Sequence, residues 1–110
     1  MKEIHTLIKA ENVFLDLTGK DKFDVIHKII QSMSQSNQIP DPKLFEEEVV
    51  RREREIATGL QMGAALPHAR SHVITKIVMA FARLKVGVDF GAGDGNPARL
   101  VFLFGVPSEQ

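Results

Sequence analysis

Apolar residues recur near the start of the chain at Phe23, Ile26, Ile30 and Met33, with Val25 and Ile29 widening the stripe. Steps of three and four predict an amphipathic helix beginning near Lys22. Asp21 suits its N-cap, and the polar run Ser34-Gln35-Ser36-Asn37 ends it. A second helix is predicted after Asp41 as N-cap and Pro42 at the first helical position. Glu46, Glu47 and Glu48 lie toward its N-terminal half and Arg51, Arg52 and Arg54 toward its C-terminal end, the order the helix dipole favours. Leu44, Phe45, Val49 and Ile56 are its expected core residues. Gly59 is expected to end this helix or the turn that follows Thr58.

The rest of the pattern is strand-like. Residues 1–16 read as irregular or extended, with Val13, Phe14 and Leu15 as the apolar anchor. Ala64-Ala65-Leu66 is a short strand stopped by Pro67. Residues 74–84 are apolar on both alternating faces, as a strand covered on both sides would be. Residues 86–90 form a short strand, 91–97 a turn region around Asp94-Gly95, and 100–104 a second doubly buried strand. Helices followed by strands in a single domain spanning 1–110 indicate a layered α/β or α+β fold.

Composition narrows the function classes. The chain has 110 residues, 44% apolar and 25% charged, with 14 basic and 14 acidic side chains. A net charge of zero gives no global electrostatic case for nucleic acid or an anionic membrane. No apolar run approaches the roughly 18 residues of a membrane span, and the polar start Met1-Lys2-Glu3-Ile4-His5 is no secretory signal. Cysteine is absent, which excludes disulfides, thiol catalysis and cysteine metal sites and fits a reducing cytoplasm.

Acid–base or nucleophilic nitrogen chemistry therefore falls to four histidines. His5 and His27 sit in polar surroundings and read as surface residues. His68 follows a glycine-spaced loop, Thr58-Gly59-Leu60-Gln61-Met62-Gly63, and then Pro67. Glycines permit unusual dihedrals and proline fixes its own φ, so the imidazole can be presented rigidly at a strand's end. His72 is four residues on, but the pair has no neighbouring third ligand, so neither a metal nor any other cofactor is expected. Arg51, Arg52 and Arg54 before the loop and Arg70 after it can make a local cationic pocket in a neutral protein. Alternatively the helix arginines pair with glutamates at i,i+4, Glu47 with Arg51 and Glu48 with Arg52. Histidine beside arginine suits attack of a neutral imidazole on phosphorus, with arginine offsetting the charge on the oxygens.

Arg52-Glu53, Thr58-Gly59 and Gly63-Ala64-Ala65-Leu66-Pro67-His68-Ala69 together resemble the active-site signature of enzyme IIA domains of the fructose/mannitol type. These belong to the bacterial phosphoenolpyruvate-dependent sugar phosphotransferase system. The likeness extends from residues 11–33 to Asp89-Phe90, Asp94-Gly95-Asn96-Pro97 and residues 100–107. The resemblance implies a mixed β-sheet flanked by helices. It implies an enzyme, a phosphotransferase component, with His68 accepting a phosphoryl group from the histidine-containing phosphocarrier protein and passing it to a IIB domain. Arg52 would stabilise the added charge, and Thr58, Gly59 and Gly63 would belong to the loop that shapes the pocket. Gln61 stands where the family often has a further glycine.

An alternative within the same family is a regulatory IIA-like protein of the nitrogen-related type, which docks on partners according to its phosphorylation state. Either role is cytoplasmic, without nucleic acid and without membrane insertion. Family members usually run further and often carry a second active-site histidine downstream. The domain is therefore expected to be truncated at its C-terminus or completed by another chain, a homo-oligomer included, because nothing sequence-local covers residues 100–104.

Overall fold

The structure, a computed structural model, describes residues 8–108. His5 lies outside the described residues. In chain order the elements are β1 (Ile8–Leu17), α1 (Lys22–Ser34), α2 (Pro42–Glu55), β2 (Gly59–Leu60), a 3-10 turn (Gln61–Gly63), β3 (Ala64–Ala65), β4 (His68–Ser71), β5 (Val78–Val88) and β6 (Ala98–Pro107). Six strands form one mixed sheet in the order β1-β5-β6-β3-β2, and β4 also pairs with β6. β1 runs parallel to β5, β5 antiparallel to β6, and β3 and β4 parallel to β6. A mixed sheet with two helices in one domain is the architecture expected from the sequence.

Both helix starts follow their sequence signals. The Asp21 carboxylate accepts from the Asp24 N–H at 2.8 Å, and that of Asp41 accepts from the Leu44 N–H at 3.1 Å with Pro42 opening the helix. Val25, Ile26, Ile29, Ile30 and Met33 of α1 and Phe45 and Val49 of α2 are buried. They pack against Val78, Ala80, Ala82 and Leu84 of β5 and Val101 and Leu103 of β6, which are also buried. Small residues at Ala80 and Ala82 let the helices sit close to the sheet.

Five expectations are corrected. Ile56 is 58% exposed, because its backbone is extended at φ −142°, ψ 118° and leaves the helical phase; the buried position one turn after Val49 is Glu53. Gly59 does not end the helix. It lies in β2, where an added Cβ would meet the Phe90 carbonyl oxygen and the Ala92 nitrogen at 2.7 Å. In β1 the apolar anchor is displaced: Val13 and Leu15 are 38% and 55% exposed, Phe14 is half-buried, and Asn12 is buried. A register shift between Ile8 and Val13 accompanies this, and the Asn12 amide is satisfied by Gln38 and the Met79 carbonyl. Finally, β5 begins at Val78 rather than 74 and runs to Val88, absorbing the separate strand expected over 86–90.

Nor are β5 and β6 buried on both faces. Opposite the helices, Met79, Phe81, Phe102, Phe104 and Val106 are half-buried, and Leu100 is exposed. The Phe81 and Phe102 rings lie 5.0 Å apart on this side.

Candidate functional site

Pro67 interrupts what would otherwise be one strand along the edge of β6. Before it, Ala64 and Ala65 pair with Leu100 and Val101; after it, His68 pairs with Phe104 and Arg70 with Val106. Proline has no N–H to donate, but its carbonyl accepts from the Phe104 N–H at 3.1 Å, so the pairing continues across the break. His68 emerges at this point, half-buried, on the sheet face opposite the helices. Its ring stacks on that of Phe104, with centroids 4.7 Å apart and planes within 2°.

The Nδ1 of His68 lies 2.7 Å from the Leu66 carbonyl oxygen. A carbonyl only accepts, so Nδ1 carries the proton and Nε2 holds the free lone pair. The stack and the hydrogen bond together remove both rotational freedoms of the ring.

A cleft of about 560 Å³ opens beside His68. Arg51, Arg52, Glu48 and Glu55 of α2 line one wall, and His68, Arg70, Phe104 and Val106 the other. Arg51 and Arg52 are exposed, and among the described residues neither forms an ion pair; the i,i+4 pairs with Glu47 and Glu48 are not made. Glu48 instead accepts a hydrogen bond from the buried Ser71 hydroxyl. Three arginines thus line the cleft that His68 borders, and among the described residues none of them pairs with a carboxylate. Arg54 diverges from them: it lies 5.3 Å from the Phe23 ring centroid, in a separate groove of about 890 Å³ between α1 and α2. His27 lines that groove too, its ring 2.8 Å from the Glu46 carboxylate. His72 is exposed, and among the described residues no group of three or more His, Cys, Asp or Glu could hold a metal ion.

The structure brings His68 and Arg52 to one cleft, whereas Thr58, Gly59 and Gly63 do not line it. They lie behind it and shape the backbone that carries His68. The Thr58 carbonyl accepts from the Leu66 N–H at 3.1 Å. Gly59 packs against the Phe90–Ala92 backbone and donates its N–H to the Phe90 carbonyl at 3.0 Å. Gly63 has φ +79°, and Met62 before it φ +65°. The left-handed backbone thus falls at Met62, with Gln61 preceding it, and is stabilised by the Met62 N–H donating to Asp94 at 3.1 Å. Asp94 also accepts from the Asn96 N–H at 3.0 Å; these two backbone donors, Asn96 first, hold its carboxyl below the usual carboxylate range.

Two contributors carry roles that the sequence did not assign them, although Glu53 stands in the Arg52-Glu53 part of the signature. Phe104 is visible only through the parallel register of β4 and β6. Glu53 is 1% exposed and accepts from Lys22 Nζ at 3.1 Å, the Thr58 N–H at 2.9 Å and the Thr58 hydroxyl at 2.6 Å. The step of four from Phe45 through Val49 to Glu53 was the signal for its burial.

Fold and cleft define an α/β domain that holds one oriented histidine, with a free Nε2, among arginines at a sheet edge. The chain belongs to the family described as phosphoenolpyruvate-dependent sugar phosphotransferase system, EIIA 2, whose pattern matches residues 6–110. It is 32% identical over 101 residues to the fructose-specific EIIABC component of Bacillus subtilis, covering 92% of this chain and 16% of that protein. It is 30% identical over 106 residues to the fructose-specific EIIA component of Haloferax volcanii, covering 96% of this chain and 69% of that protein. The structure resembles the nitrogen regulatory protein IIA-Ntr of Neisseria meningitidis with TM-score 0.87 and 26% identity, over 96% of this chain and 72% of that one. EIIA domains are phosphotransfer components of sugar uptake.

Proposed function

We propose that the chain is a cytoplasmic phosphocarrier of fructose-type sugar uptake. It accepts a phosphoryl group on His68 Nε2 from a histidine-containing phosphocarrier protein and passes it to a IIB domain. The observation that carries the reading is the hydrogen bond from Nδ1 to the Leu66 carbonyl, which leaves Nε2 as the nucleophile within an arginine-lined cleft.

In the first transfer the Nε2 lone pair attacks phosphorus. The donor's N–P bond breaks, and its electron pair returns to the donor imidazole. The His68 ring then carries a positive charge shared with Nδ1–H, and the Leu66 carbonyl dipole stabilises it. Arg52, with Arg51 and Arg70 beside it, offsets the charge on the three equatorial oxygens. In the second transfer a nucleophile of the IIB domain attacks the same phosphorus and the pair returns to Nε2. Positioning and charge compensation account for the catalysis, and neither step requires a metal or an organic cofactor. The fructose names of the two sequence relatives favour uptake over the regulatory alternative.

The test is incubation with phosphoenolpyruvate, enzyme I and the phosphocarrier protein. An acid-labile mass increase of one phosphoryl group is expected, and its absence in His68→Ala. Undiminished labelling of His68→Ala overturns the assignment.

A further inference from the structure

Glu53 presents a physical puzzle. A carboxylate in a core position carries a desolvation penalty of several kcal/mol, and an apolar side chain continuing the Phe45–Val49 stripe would avoid it. Its role must lie in what it holds. Three donors converge on it: Lys22 from α1, and the N–H and hydroxyl of Thr58. Thr58 is thereby fixed at two atoms. Its carbonyl in turn accepts from the Leu66 N–H, and the Leu66 carbonyl accepts from His68 Nδ1. The Phe104 N–H fixes the neighbouring Pro67 carbonyl, so the peptide segment carrying the Leu66 acceptor is anchored on both sides.

We propose that Glu53 is a positioning residue for phosphoryl transfer: through Thr58 and Leu66 it sets the tautomer of His68. The inference rests on the reading of His68 as the phosphoryl acceptor. A neutral histidine free in water favours the proton on Nε2, the nitrogen that must be bare here. The Leu66 carbonyl reverses that preference only while it stays aligned with Nδ1, and hydrogen bonds weaken steeply once misaligned. Glu53, one residue from Arg52 on α2, thereby couples the helix that supplies the arginine wall to the tautomer of the nucleophile. Loss of an outer partner that orients a metal-bound histidine costs about 10–100-fold, and an effect at the lower end of that range is expected for this imidazole.

The experiment is long-range proton–nitrogen NMR of histidine-labelled, unphosphorylated protein at a pH above the imidazole titration. In the natural sequence, His68 should show a protonated Nδ1 and an unprotonated Nε2. Thr58→Val removes the hydroxyl at constant shape, and Glu53→Gln removes the carboxylate; in each, the ring signals should move toward the Nε2–H tautomer. Thr58→Ser restores the hydroxyl and should restore the signals. Phosphorylation of Thr58→Val should slow by about tenfold, with Thr58→Ser close to the natural rate. A dominant Nε2–H tautomer in the natural protein overturns the proposal without any variant. So do unchanged ring signals in folded Thr58→Val or Glu53→Gln. Where Glu53→Gln does not fold, Thr58→Val decides, since it leaves the buried carboxylate paired with Lys22 and the Thr58 N–H. Failure of the natural protein to accept phosphate overturns the function reading instead and leaves the ring signals as a separate result.

Discussion

Replacing Gly59 by alanine tests how the loop behind His68 is held. Gly59 is not among the residues with positive φ, so alanine meets no backbone penalty there, and the cost is one of space. The new methyl would stand 2.7 Å from the Phe90 carbonyl oxygen and from the Ala92 nitrogen. Both are backbone atoms, so no rotamer change relieves the contact, and β2 must move away from the Phe90 segment. Overpacking of this kind costs typically about 1–3 kcal/mol. The same movement stretches the 3.0 Å bond from the Gly59 N–H to the Phe90 carbonyl, a further loss of about 1 kcal/mol. A total of about 2–4 kcal/mol corresponds to a drop in Tm on the order of 10–20 °C for a domain of this size. Urea unfolding followed by circular dichroism measures it, with an unchanged slope and a lowered midpoint. Gly93→Ala is the control, because nothing lies within 4 Å of its added Cβ; it should stay within about 0.5 kcal/mol of the natural chain. If Gly59→Ala unfolds at the natural midpoint, the loop yields freely and the close approach does not hold it.

Met62→Gly should stabilise the fold: relief of about 1–2 kcal/mol at a left-handed residue outweighs the roughly 0.5–1 kcal/mol entropy cost of glycine, and a lower urea midpoint would contradict this. Acid should weaken the same loop through Asp94. Its carboxyl titrates below the ordinary 3.8 when folded, so its contribution is complete well above that pH and is lost as pH falls through the folded value. Urea midpoints of the natural chain and Asp94→Asn should therefore converge in strong acid, whereas parallel curves would count against the Met62 and Asn96 contacts. Arg52→Ala should slow phosphorylation of His68 by about 100-fold while shifting stability by no more than about 0.5 kcal/mol, since the side chain is exposed. A phosphorylation rate equal to the natural one would remove Arg52 from the site.

The helix caps were legible because their chemistry is local: Asp21 and Asp41 each bond an N–H three residues on. The Pro67-His68 step was legible for the same reason. The features missed depend on partners far along the chain. Nothing local marks Asn12 for burial: its partners, Gln38 and the Met79 carbonyl, lie 26 and 67 positions away. Phe104 joins His68 through a parallel register that no periodicity contains. Gly59 was singled out correctly as a position without a side chain, yet for the wrong cause, because a helix end and a tight backbone crossing look alike in sequence.

The strands β5 and β6 show the limit most clearly. Alternation indicated that both their faces are apolar, and they are; the expectation that both are therefore covered fails, because an apolar pattern does not say what lies over each face. The helices cover the face of Ala80, Ala82, Val101 and Leu103. Phe81, Phe102 and Phe104 occupy the other, half-exposed, and His68 stacks on the last of them. The His68 imidazole lies flat against Phe104 at the margin of that face, its centroid 4.7 Å from that of the phenyl ring. The aromatic face and the arginine cleft thus meet at His68, and the same register that hid Phe104 from the sequence joins them.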